Sequence, residues 1–169
     1  MSDQTRFVFS YPFSVTKLPK SGAHIEITAS RQDCLALAED FKIPKINEIK
    51  ADLTISGNTE KVSVKGEVYA AVTLQCGVSL EYFDSCVKEP VEVEFISEKQ
   101  AARGDIVENA EDEADYIING SIDLGQIVSE FFALGLEPFP RKPGVEFTYC
   151  EDGLTDKSPF SELKSLISE

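Results

Sequence analysis

From Val62 to Cys76 every second residue is apolar or glycine: Val62, Val64, Gly66, Val68, Ala70, Val72, Leu74 and Cys76. Most of the residues between them are polar. A strict period of two over that length predicts one long antiparallel strand, with one face in a core and the other in solvent. Gly66 is the natural place for it to bend or bulge. Gly77-Val78-Ser79 turns the chain, and Val87, Val91, Val93 and Phe95 alternate back, so the pair forms a long hairpin with Cys76 near its tip. Pro90 has no N–H to give to a ladder, which makes the returning strand an edge or bulged there. Ile49, Ala51, Leu53 and Ile55 predict a preceding strand that ends in a Gly57-Asn58 turn. Phe7, Phe9, Tyr11 and Phe13 alternate at the N-terminus, and His24–Thr28 does so briefly.

Two segments switch to a helical period. Ser30 and Asp33 suit a capping box, and Cys34, Leu37, Ala38 and Phe41 follow at i, i+3, i+4 and i+7, so a helix is expected over 30–41 until Pro44 stops it. Cys34 reads as a small buried hydrophobe on that stripe. A second helix is expected over 122–135. Asp123 caps it, Gln126 closes the box, Leu124, Ile127, Val128, Phe131 and Leu134 form the stripe, Phe132 widens it, and Gly135 ends it. Between them, 98–120 carries Glu108, Glu111, Asp112, Glu113 and Asp115 among few apolar residues and reads as a mobile acidic loop. Pro138, Pro140 and Pro143 keep 138–144 out of regular structure, and that segment holds the adjacent cations Arg141 and Lys142. Residues 151–157 read as a linker. Ser158-Pro159-Phe160 then starts a short helix with Phe160, Leu163 and Ile167 on one stripe, too short to be stable without docking.

These elements specify an α+β fold. A curved antiparallel β-sheet is built around the long hairpin and covered by two helices, with a short C-terminal helix in addition. A partly closed barrel is the alternative to an open sheet. A length of 169 residues with 42% hydrophobic content fits one domain over 1–150 and a linker with a helix over 151–169. No apolar run is long enough for a membrane span, and the first residues lack the pattern of a signal peptide, so a cytoplasmic protein is expected.

Charge narrows the choice of partners. Thirty acids against sixteen bases give a net charge of −14. Nucleic-acid affinity comes largely from Lys and Arg displacing counterions, so a surface this negative disfavours direct RNA contact; it serves solubility or docks a basic partner protein. Catalytic sets are missing from the pattern. The single histidine, His24, lies in a short strand and reads as structural or surface; no Gly-rich phosphate loop occurs, and the carboxylates show no EF-hand spacing. The cysteines at 34, 76, 86 and 150 form no C-x2-C pair and read as ordinary thiols. No catalytic residue, metal or cofactor is therefore assigned.

Four segments taken in order resemble one family. Thr73–Phe83 resembles a hairpin-tip motif in which a cysteine or a Cys-x-x-Cys precedes a hydrophobic return strand. Gly120–Gly125, followed by Glu130 and Leu134–Pro138, is similar to its "iDL…E…L.L.P" helix. Phe139–Phe147 resembles the proline-rich segment of its alphaproteobacterial branch, and Ser158–Leu166 its terminal "PF..L..L" helix. The chain is thus similar to the YceD-type large-ribosomal-RNA accumulation family. It departs from the fuller pattern where Ser79 replaces the second tip cysteine and where only Cys150 remains of a C-terminal cysteine cluster. The resemblance implies a part in large-subunit ribosome biogenesis and no reaction. Together with the charge, it implies a non-enzymatic accessory factor that contacts a basic ribosomal or assembly protein. The competing expectation is a direct rRNA-binding module that uses the sheet face and Arg141-Lys142. The candidate interaction residues are Cys76, Ser79, Asp123, Glu130, Pro140, Arg141, Lys142, Pro143, Phe160 and Leu163.

Overall fold

The computed structural model describes residues 8–101 and 115–146. Its centre is the predicted alternation made into a sheet. β3 (Lys45–Gly57), β4 (Lys61–Gln75) and β5 (Tyr82–Ser97) form an antiparallel meander, with β2 (Ala23–Thr28) beside β3 and the short β6 (Asp115–Ile117) parallel to the end of β5. Among the described residues the order β2-β3-β4-β5-β6 does not close into a barrel. A second ribbon pairs β1 (Pro12–Ser14) with β7 (Ser121–Asp123).

The side-chain period decides the two faces. In β4 the residues Val62, Val64, Val68, Ala70 and Val72 are wholly buried, while Lys65, Glu67 and Tyr69 between them are exposed. The buried face carries both main helices. α1 (Arg31–Asp40) packs on β3, and α3 (Leu124–Gly135) packs on β4 and β5. Phe41, just past α1, meets Phe132 of α3 edge to face, with ring centroids 5.5 Å apart. The opposite face of the sheet is polar and charged.

Pro90 is accommodated by the phase of the ladder. At the two ends of the β4–β5 pairing, Ser97 N–H donates to Glu60 O and Cys76 N–H donates to Glu81 O. Narrow pairs alternate with wide ones, so Glu67 and Pro90, which face each other, form a non-hydrogen-bonded pair. The ring nitrogen of Pro90 therefore points away from β4, towards an edge that β6 covers only at Phe95–Ser97. The expected edge strand is present and the ladder loses no bond.

The bulge lies elsewhere than expected. Pairing runs through Gly66 without a slip, and the register shifts instead between Ile46 and Glu48. What requires glycine at 66 is close approach: a Cβ there would lie 1.9 Å from the Asp52 carbonyl oxygen.

α1 has the capping box read from its sequence. Asp33 N–H donates to Ser30 Oγ at 3.1 Å, and Ser30 N–H donates back to Asp33 Oδ2 at 3.0 Å. α3 is capped by Asp123 but leaves its box open, because the Gln126 amide turns to Glu130 Oε1 at 2.7 Å. Its buried face runs through Leu124, Gly125, Ile127, Val128 and Phe132, and Leu134 is left 73% exposed. At the N-terminus the aromatic alternation yields only the three-residue β1; Phe9 is buried and Tyr11 exposed. Of the 98–120 segment expected to lack structure, Glu98–Ala101 is a helical turn (α2) and Asp115–Ile117 is β6; β7 follows at once. The acids at 108–113 and the C-terminal 151–169 segment lie outside the described residues. No helix among the described residues is long and apolar enough to cross a membrane.

Candidate interaction end at the hairpin tip

The β4–β5 hairpin ends in a short, tightly bonded loop. Cys76 N–H donates to Glu81 O and Leu80 N–H to Cys76 O, both at 2.9 Å, which closes the loop around Gly77-Val78-Ser79. Leu80 sits at φ +60, a strained setting for a branched side chain that the loop holds in place. The proline-rich segment then docks on this loop from the far end of the chain. Gly77 N–H donates to Pro140 O at 2.9 Å, and Lys142 Nζ reaches Glu81 Oε2 at 2.9 Å. The Lys142 ammonium holds the Glu81 carboxyl below its usual range. Sequence reasoning placed Cys76, Ser79, Pro140, Arg141, Lys142 and Pro143 in two separate segments. The structure joins the segments through hydrogen bonds at Pro140 and Lys142, with Arg141 exposed beside them.

Cys76 is fully buried, and its Sγ accepts the Ser79 N–H at 3.4 Å. Hydrogen bonds from the Ser79 side chain and backbone, then from the Lys142 backbone, lower the thiol to about 6 against an opposing push from burial. Donors converge on this sulfur in the way that favours a thiolate. A second thiol at position 79 would complete a Cys-x-x-Cys pair, and a serine stands there. Cys34, Cys76 and Cys86 are all unpaired thiols. Burial raises the Cys34 thiol, which lies in the core as the helical stripe predicts.

Asp123 and Glu130 lie away from the tip. Asp123 Oδ1 accepts Gly125 N–H at 2.9 Å, Gln126 N–H at 3.2 Å and Tyr11 N–H at 2.8 Å, while Ser10 Oγ donates to Oδ2 at 2.5 Å. One carboxylate thereby caps α3 and ties the N-terminal segment across its start. Gly125 makes that crossing possible, since a Cβ would lie 2.7 Å from Tyr11 N. The geometry gives Asp123 a structural task in the "DL" motif. Glu130 accepts from Gln126 on the exposed side of α3. Phe160 and Leu163 lie outside the described residues.

Sequence reasoning missed the apolar character of this end. A groove of about 710 Å³ opens between the segment after α1, the tip end of the sheet and the segment after α3; Phe41, Ile43, Leu74, Tyr82, Leu136 and Pro138 are among its walls. Around the same end Leu80 is 67%, Tyr82 64% and Phe139 83% exposed. These residues come from four separate stretches, so no periodicity announces the patch. The opposite sheet face carries His24, Glu26 and Asp52, the only grouping among the described residues close enough to share a metal ion. All three are exposed, and His24 already faces Asp52 at 3.5 Å.

No curated protein and no solved structure matches the chain. A family model described as "Large ribosomal RNA subunit accumulation protein YceD" matches residues 64–167, which takes in both strands of the long hairpin, the tip, α3 and the proline-rich segment. Since that match spans more than half of the chain, the protein belongs to the YceD family.

Proposed function

We propose that this chain is a non-enzymatic accessory factor in large ribosomal subunit biogenesis, acting through contacts with a basic ribosomal or assembly protein. The family supplies the process, accumulation of large-subunit rRNA. The observation that carries the mode of action is the occupation of the cations. On the charged sheet face Lys61 pairs with Glu94, Lys65 with Glu92, and Lys88 with Glu67; Lys50 pairs with Glu48. Lys142 is likewise engaged by Glu81. Each of these five lysines has a carboxylate partner, so they offer little uncompensated positive charge to phosphate, and the chain carries a net −14. The alternative, rRNA binding through this face and Arg141-Lys142, would have to break those pairs first.

The test is affinity purification from cells with and without nuclease. A basic large-subunit protein or assembly factor should remain bound after nuclease digestion. Loss of every such partner on digestion would refute the protein-contact mode. Filter binding to large-subunit RNA fragments covers the alternative. Salt-sensitive retention that falls when Arg141 and Lys142 are both changed to Ala would establish RNA contact instead.

A further inference from the structure

The groove at the tip end lies within reach of a segment of the same chain. Most of the residues lining it are apolar, with Lys42 and Glu137 charged and Gln75 polar among them. The chain runs directly past it: Pro140 lines the groove, and Glu146 is the last of the described residues. The few residues from Pro140 to Glu146 place that point within about 20 Å of the groove, at ~3.3–3.6 Å per residue. From Glu146 to Ser158 the chain can extend up to about 40 Å, enough to return.

The sequence beyond is Ser158-Pro159-Phe160-Ser161-Glu162-Leu163-Lys164-Ser165-Leu166-Ile167. On a 3.6-residue period Phe160, Leu163 and Ile167 share one stripe, with Leu166 beside it. Such a stripe is too short to be stable alone and needs an apolar surface to complete it. Glu162 and Lys164 flank the central leucine, so the segment brings one anion and one cation to a groove that offers one of each.

We propose that the segment 158–167 of the same chain docks in this groove, laying Phe160, Leu163 and Ile167 against Ile43, Leu74, Tyr82 and Leu136. A tethered segment acts at an effective concentration of about millimolar, which favours it over a free peptide or a second copy with the same stripe. Docking would tie the last segment to the proline-rich stretch, the hairpin tip and both helices. This inference is independent of the ribosomal reading, since it concerns only how the chain covers its own surface.

The experiment is methyl-resolved NMR on the full chain. Nuclear Overhauser contacts are expected from the Phe160 ring and the Leu163 and Ile167 methyls to the methyls of Ile43, Leu74 and Leu136. In a sample mixing differently labelled molecules the contacts should stay within one molecule. Phe160→Ala, and separately Leu163→Gln, should speed amide exchange at Ile43 and Leu136 by about tenfold and leave Val64 and Val68 unchanged. Absence of those contacts with unaltered exchange would overturn the proposal. So would contacts seen only between molecules, which would mark the groove as a self-association surface.

Discussion

The outer face of the sheet and the hairpin-tip end are built from the same two strands, yet they treat water in opposite ways. On the outer face each lysine of β4 lies beside a glutamate of β5, with the exposed Tyr69 among these charged residues. At the tip the exposed residues include Leu80 and Tyr82, joined by Phe139 from the proline-rich segment, around a groove lined mostly by apolar residues. The face satisfies its own charges, and the end leaves apolar area uncovered. Large exposed apolar area concentrates at surfaces that bind something, whereas self-paired surface charge contributes mostly solubility. Leu80, Tyr82 and Phe139 thus set the end apart from the face as apolar surface open among the described residues.

The contrast can be broken most severely from beneath. Phe132 is wholly buried and touches Phe41, which lines the groove, so it supports core and tip end together. Phe132→Ala should cost about 3–5 kcal/mol in denaturant unfolding. Asp123→Ala comes next, because it removes the cap of α3 and its ties to Ser10 and Tyr11. A loss of about 1–2 kcal/mol is expected, measured in the same way. A smaller effect should follow from Cys76→Ser, and its signature is pH dependence. The folded thiol titrates near 6, below its ordinary 9.0. A depressed acid adds stability that is complete above the unfolded value and fades as pH falls through the folded one. The stability difference between the native chain and the variant should therefore widen from pH 6 to pH 9. A difference that stays flat across that window would show that the thiol keeps its proton there.

Least of all should follow from Lys65→Ala on the outer face. Its bond to Glu92 is short, 2.6 Å, but both side chains are well exposed. The shift in a denaturant melt should fall within measurement error, because exposed pairs contribute little. A loss comparable to that of Asp123→Ala would mean that the face is structurally committed and the contrast with the tip is overdrawn.

Much of this fold was legible because it is written in short periods. The alternation from Val62 to Leu74 fixes which face of β4 is buried, and Ser30 with Asp33 marks the start of α1 correctly. Position 134 shows the limit of such reading. A helical stripe reaches Leu134 as readily as Phe132, and the choice is made by Phe41, a partner distant in sequence. β6 was missed for a related reason. It has three residues and pairs in parallel with a strand that ended well before it, so no local pattern records it. The tip followed the same rule: its loop was foreseen from Gly77 and Ser79, but its union with the proline-rich segment rests on a backbone bond to Pro140, which no side-chain period can encode. Asp123, expected both to cap α3 and to be a candidate interaction residue, does cap the helix, and its carboxylate makes four bonds within the chain.

The orientation of Pro90 bears on how the protein survives at high concentration. Along Tyr82–Glu94 the side of β5 away from β4 has no neighbouring strand among the described residues, which makes it a template for another molecule's strand. A proline whose nitrogen faces that open side withdraws one donor from the middle of the template. The charged residues Lys88, Glu92 and Glu94 guard the same stretch. Pro90→Val would keep the intramolecular ladder intact and remove the interruption, so the variant should fold normally and yet lose solubility as concentration rises. In this chain one imino acid separates a stable sheet from an endless one.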